Sequence, residues 1–469
     1  MRDDGDQRFT SATLALNNPG NYLVAVIGAG PAGLFAARQL ASFGVSVVLI
    51  NRDIAPGGLA EYGIFFDKVK MKEGLRKQFR QILDSPHIEY YGNVTVGQKN
   101  DLSLAEIRAL GFQAVMVTVG AQGTKWLGLP GENMTGVFHS KEIVYHYNLL
   151  PPFSTQTFNM GNRVAVVGVG NVMLDIAHWL IRELKVGEVI AVARRGPAEV
   201  KFTKPEMAFV ACNLDLAALD AEFVRVAPMM RAVGQDVDLA KAFILSALSK
   251  GLEPVSTTRF RFEFLASPSR MVGDERGVVH GLEVEDTTLV AGDGEPQAKR
   301  LGTKRILPVD TVIFCIGDKV DDNFGLPVRR NEFVKNPQPR FPIDGISYEA
   351  FDPDMNRAID RMFVAGWSRE ASHGLVGVAR RDGENGADAV WQYLQTLPTL
   401  NNVEGIKDEF HQHLNQLGKT IVTKEDWQRI DQAEQAESVR RRMEGFKFGT
   451  NEAMLAAIGK VCAFHDKEK

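Results

Sequence analysis

The sequence predicts an α/β protein built from two doubly wound, Rossmann-like units, followed by a helical C-terminal extension. Three observations carry that expectation. Two separate stretches read strand, glycine-rich turn, helix, strand, one near residue 28 and the other near residue 168. Further apolar runs of strand length end in glycine turns at three later points. From about residue 401 onward the composition turns polar and helical.

In chain order, Tyr22–Ile27 is an apolar run, Gly28–Gly33 is a turn, and Leu34, Ala37 and Leu40 mark a helix. Val45–Ile50 is then the next buried strand. Such a βαβ unit in a parallel sheet has a right-handed crossover. Ala114–Ala121 is a strand running into a glycine turn. Arg163–Val167 opens the second unit, with a turn at Gly168–Met173, a helix towards Leu184 and a strand at Glu188–Ala193. The stretch from Phe262 to Val309 mixes short strands with turn-rich sequence such as Ala291–Gly294. Strand-to-glycine patterns return at Thr311–Gly317 and Met362–Gly366, and the segment beginning at Lys424 is helical.

Composition bounds the function. A chain of 469 residues predicts two or three domains, at roughly 150 residues each. Lys plus Arg is 54 against 58 for Asp plus Glu, a net charge of −4, which argues against a nucleic-acid or membrane-surface partner. The three cysteines, Cys212, Cys315 and Cys462, are far apart and form no CxxC. That excludes a redox-active disulfide, an all-cysteine iron–sulfur cluster and a cysteine-rich zinc site, and no metal site is expected. Met1–Tyr22 is polar and carries Asp3, Asp4 and Asp6, unlike a signal or transit peptide. No apolar run reaches the ~20 residues of a membrane helix, so the expectation is a cytoplasmic protein.

The glycine turns have a mechanical reading. In the first, Gly28 makes the tight turn, Gly30 admits a pyrophosphate and Gly33 lets helix and strand pack, with the phosphate at the helix start. This is expected to be a flavin dinucleotide site, a purely structural turn being the alternative. At the end of the next strand, where an acid normally meets a ribose, stands Asn51, which either bonds the ribose or merely opens a turn. In the second turn Gly168, Gly170 and Asn171 repeat the logic, but Met173 fills the third small position and is expected to push helix and strand slightly apart. Arg194 and Arg195 end the following strand; guanidinium groups suit a 2′-phosphate and select NADP(H) over NAD(H), unless they form only a solvated basic turn. Two nucleotide sites without a disulfide define a hydride passage between nicotinamide and flavin.

With these residues, the chain resembles the adrenodoxin reductase-type ferredoxin–NADP reductases. The likeness runs through Gly57–Gly63, Tyr91–Val94, Val119–Ala121, Leu129–Glu132, Tyr147–Asn148, Arg194–Pro197, Phe202–Thr203, Glu206, Gly366–Trp367, Gly374–Gly377 and the tail from Val422 to Ile458. Trp367 and the missing CxxC separate it from disulfide reductases. The resemblance implies FAD contacts at Gly28, Gly30, Ala32, Gly33, Asn51, Gly58, Leu59, Val94, Gly120, Trp367, Gly374, Leu375 and Val376. It implies NADP contacts at Gly168, Gly170, Asn171, Val172, Met173, Leu174, Arg194, Arg195 and Glu206. It also implies a split plan, with the FAD domain in residues 1–120 and 331–469 and the NADP domain inserted at 121–330.

Two departures stand out. Where the family often has Pro-Asp-His-Pro, this chain has Phe66–Val69, with Lys68 at the histidine position; Phe209 takes the place of a glutamate. Lys68 is accordingly a candidate for holding negative charge on reduced flavin. The partner expected is a ferredoxin-like electron carrier, and Lys68, Lys72, Arg76 and Arg80 form a stripe along one helix face suited to dock it, unless they are only an ordinary solvated helix face. Arg440–Arg442 and the Arg225/Arg231 pair are rival patches. The function expected is an FAD-dependent NADP oxidoreductase exchanging single electrons with that carrier. The alternatives are a reductase subunit of a larger enzyme, as in glutamate synthase small subunits, and a flavin-binding regulatory protein of low turnover.

Overall fold

The computed structural model describes residues 21–292 and 294–461. The acidic cluster at Asp3, Asp4 and Asp6, residue 293 of the 291–294 turn, and Cys462 lie outside the described residues.

The first sheet has seven strands. In spatial order they are Glu349–Asp352, Arg357–Val364, Ala114–Val117, Leu23–Ile27, Ser46–Ile50, Ile88–Gly92 and Val422–Thr423. The five inner strands are mutually parallel, and the two edges are antiparallel additions. Strands buried on both faces read as unbroken apolar runs, and Leu23–Ile27 is fully buried. The second sheet has five parallel strands in the order Val137–His139, Thr311–Phe314, Arg163–Val167, Glu188–Val192 and Arg259–Glu263. Between the two lies an antiparallel pair, Gly123–Thr124 with Asp318–Lys319, where the chain passes from one body to the other and back.

Residues 262–309 depart from the expectation of short strands. Ala266–Gly273, Val279–Val290 and Gln297–Pro308 form a three-stranded antiparallel meander, the last two strands twelve residues each. Ion pairs between charged side chains on neighbouring strands, such as Lys304 with Glu283, support pairing where apolar alternation is weak. The tail is helical as expected, at Val403–Asn415, Lys424–Arg441 and Asn451–Ala456.

Both sheets turn at the same kind of place. Gly28, at the end of Leu23–Ile27, has φ +104° and a Cβ there would lie 2.6 Å from the Thr118 carbonyl oxygen. Gly168 has φ +134° and would place its Cβ 2.3 Å from the Cys315 carbonyl oxygen. In each sheet the next strands continue outward on one side of the first strand, and a later one, Ala114–Val117 or Thr311–Phe314, takes its other side, so each glycine stands at a topological switch point, where open α/β sheets bind ligands.

Candidate active site

The residues expected to hold the first dinucleotide converge on the carboxyl edge of the seven-stranded sheet. Helix Pro31–Ser42 starts at Gly30, whose own Cβ position is open apart from Gly58 Cα at 4.0 Å. The loop carrying Gly58 is braced against the glycine turn by the Gly57 N–H, which donates to the Ala29 carbonyl at 2.7 Å. Leu59 opens the short helix that follows. Gly33 is fixed by contact: a Cβ would sit 1.8 Å from the Gly28 carbonyl oxygen. Val94 is buried and its N–H donates to the Asn51 carbonyl. The Gly120 N–H donates to Ser368 Oγ at 3.0 Å, tying it to the Gly366–Ser368 turn.

That turn comes from the far end of the chain. Gly366 and Gly383 both press on Ala32: their Cβ positions lie 2.6 Å from Ala32 Cβ and 2.1 Å from its carbonyl oxygen. Asp382 caps the arrangement by accepting from the Gly366 N–H at 2.6 Å and from Arg369. Trp367 donates its indole N–H to the His373 carbonyl at 2.8 Å, closing the loop that leads through Gly374 and Leu375 to a helix beginning at Val376. This helix start, the Gly30–Gly58 cradle and Gly120 therefore share one edge. A strip kept clear of Cβ atoms beside a helix N-terminus fits a dinucleotide pyrophosphate.

Asn51 braces the glycine loop from inside. Its Oδ1 accepts from the Ala29 N–H at 3.0 Å, and its Nδ2 donates to the carbonyls of Asp53 and Ala55. The side chain is buried and turned inward, bracing the glycine loop. A carboxylate lacks the donor these carbonyls require, which is a physical reason for asparagine here. Beside it a cavity of about 280 Å³ is lined in part by Arg52, Asp53, Asn93 and Thr95, and by Asn451 and Met454 of the tail.

At the second sheet, Gly170 stands open and leads into helix Asn171–Trp179, which carries Val172, Met173, Leu174 and Asp175. Asn171 Oδ1 accepts from the Thr203 N–H at 2.8 Å, so the amide ties the glycine turn to the segment bearing Glu206. Met173 is fully buried in the core beneath the sheet, where it fills volume. Arg194 is exposed and Arg195 half-buried at the end of strand Glu188–Val192.

The two edges meet. Lys68, on the loop before helix Val69–Leu83, donates to both Glu206 carboxylate oxygens at 2.9 and 2.7 Å, and its Nζ lies 3.8 Å from Asp175. Its ammonium is thus committed to Glu206, which corrects the expectation of a free cation for reduced flavin. Phe209 contributes an aromatic face: His178 stacks between Phe65 at 4.5 Å and Phe209 at 5.0 Å. Burial, with the Arg182 and Lys68 charges, lowers the His178 pKa to about 4, so this imidazole is neutral. Asp175, which no sequence motif marks, is pushed up to about 7 by burial against the opposing pull of Lys68. Nearby, the Asp318 N–H donates to Ser372 Oγ at 2.8 Å, a second tie across the seam.

The basic stripe on helix Val69–Leu83 is also corrected. Lys72 is buried and donates to Asn148 Oδ1, Arg76 forms a forked pair with Glu61, and Arg80 pairs with Asp431 and Glu73. The shared face predicted by four-residue spacing is real, but neighbouring elements and the tail helix Lys424–Arg441 cover it. These cations serve internal pairing and present little open surface.

Comparison with known proteins follows the same lines. The family profile described as pyridine nucleotide-disulphide oxidoreductase matches residues 22–209. The chain is 27% identical to the NADPH-ferredoxin reductase FprA of Mycobacterium leprae, covering 88% of this chain and 93% of the relative. It is 26% identical to the mitochondrial NADPH:adrenodoxin oxidoreductase of Arabidopsis thaliana, covering 92% and 95%. The solved structure of Mycobacterium tuberculosis FprA in complex with NADPH superposes with a TM-score of 0.76 at 25% identity, over 93% of this chain and all of that one.

Proposed function

We propose that this chain, similar along most of its length to NADPH-ferredoxin and NADPH:adrenodoxin reductases, is an FAD-dependent oxidoreductase that draws on NADPH and serves a ferredoxin-like iron–sulfur protein. When bound, the nicotinamide supplies hydride and the flavin turns that two-electron delivery into single-electron steps. The chain supplies geometry. The observation that carries the reading is the confrontation of two switch-point edges, tied by Lys68–Glu206 and by Asp318–Ser372.

In this reading the Gly28–Gly33 turn, the Gly58 loop, Gly120, Trp367 and the helix start at Val376 hold FAD. The Gly168–Leu174 turn with Arg194 and Arg195 holds NADP(H), and Glu206 is a seam residue whose charge Lys68 neutralises. Among the described residues, strand membership supports placing the flavin body before residue 121 and after residue 330, with the NADP(H) body between them. No described helix is long and apolar enough to cross a membrane. Arg440–Arg442 and Arg231 remain as exposed basic positions for a carrier.

The test is rapid mixing of flavin-loaded protein with NADPH or NADH while following the flavin absorbance, then adding a ferredoxin. Bleaching by NADPH in preference to NADH, with onward ferredoxin reduction, is the expected result. Absence of bleaching by NADPH overturns the reading.

A further inference from the structure

We propose that Lys201 completes the clamp for the 2′-phosphate of NADP(H), and that Glu295 fills this clamp when the nucleotide is absent. The inference rests on the NADP(H) reading above. Lys201 is exposed, and its N–H donates to the Val169 carbonyl at 2.9 Å, which holds it against the second glycine turn. Arg195 closes the neighbouring strand end. Glu295 sits on the short connection between the two long meander strands, Val279–Val290 and Gln297–Pro308, 100 residues from Arg195 and 94 from Lys201 in sequence. One of its carboxylate oxygens accepts from Arg195 Nη1 at 2.7 Å, and the other from Lys201 Nζ. Two cations beside a nucleotide-binding turn thus converge on one anionic group.

The geometry is that of an anion site occupied by the protein's own carboxylate. A phosphate monoester carries nearly two charges and three acceptor oxygens, so it competes well against a single carboxylate for the same donors. A 2′-hydroxyl brings no charge and gains nothing from displacing Glu295. Because the group is solvent-exposed and its ion pairs are weak, the carboxylate is displaced readily and tunes affinity without blocking entry. The meander, which adds nothing to either parallel sheet, thereby acquires a role in selecting the phosphorylated nucleotide.

Calorimetric titration of the flavin-loaded full chain with 2′,5′-ADP and with 5′-AMP tests this. The unaltered protein is expected to prefer 2′,5′-ADP. Glu295→Gln is expected to tighten 2′,5′-ADP by about three- to fivefold while leaving 5′-AMP in place, and Lys201→Gln to weaken 2′,5′-ADP by about the same factor or more. Unchanged 2′,5′-ADP affinity in both variants overturns the proposal, as does an equal shift for both nucleotides. An unaltered protein that does not distinguish the two nucleotides overturns the NADP(H) reading itself, a separate outcome.

Discussion

Lys68 and Glu206 meet across the seam between the two nucleotide-binding bodies, with both carboxylate oxygens accepting from one ammonium. Each side chain is less than one-fifth exposed. Lys68 stands where the family resemblance leads one to expect a histidine, and with Glu206 it makes a fixed charge contact there.

A double-mutant cycle measures that contact. Lys68→Met and Glu206→Gln each remove a charged hydrogen-bond partner, and each is expected to destabilise the protein by about 1–3 kcal/mol. The double variant should cost less than the sum by about 1 kcal/mol, because the second change no longer strands a partner. Thermal unfolding of the four proteins reads this; strict additivity would show that the two side chains act independently.

In the proposed reading the arginine pair governs nucleotide choice. Arg194→Ala and Arg195→Ala are each expected to lower kcat/KM for NADPH by about ten- to a hundredfold, the loss of one or two charge-assisted hydrogen bonds, with NADH changed by less than about threefold. Steady-state assays with both nucleotides and an artificial acceptor check it. Equal losses would remove the 2′-phosphate role.

Asn51→Asp tests the inward reading of that side chain. The carboxylate would face the carbonyls of Asp53 and Ala55 with no hydrogen to donate. Destabilisation of about 1–3 kcal/mol and weaker flavin retention are expected. They are measured as a lowered Tm and as flavin released on gel filtration. A variant as stable as the parent would place the amide's partners elsewhere.

Asp175 makes stability pH-dependent. Its folded pKa, about 7, lies above the ordinary 3.8, so the folded state favours the protonated form. Its contribution is fully present below about pH 4 and is lost as the pH rises to about 7. Asp175→Asn, which stays neutral throughout, should gain on the parent in Tm across that window and keep a constant advantage above it. A gap that does not change with pH would show that Asp175 titrates normally.

Much of this was legible in the chain. Gly28, Gly30, Gly33, Gly168 and Gly170 announce their turns because a missing Cβ is a local requirement written as one letter. The parallel strands announce themselves because burial on both faces demands unbroken apolar runs. What escaped was what depends on a distant neighbour. Asn51 reads as a weakened ribose contact until the carbonyls it serves are known. Lys72, Arg76 and Arg80 read as a solvent-facing stripe because four-residue spacing reports a shared face but not what lies on it; Asp431 arrives more than three hundred residues later. Glu295 carries no local signal at all, since its partners stand on another strand end.

The contact of Gly366 and Gly383 with Ala32 bears on how the molecule is made. Strand Arg357–Val364 joins the sheet edge left by Ala114–Val117, and the whole inserted body is translated between them. Until that later segment leaves the ribosome, the edge of Ala114–Val117 has no partner and the first glycine turn lacks one wall. Flavin loading is therefore an event of the finished polypeptide, and a fragment ending after the inserted body should emerge from synthesis colourless.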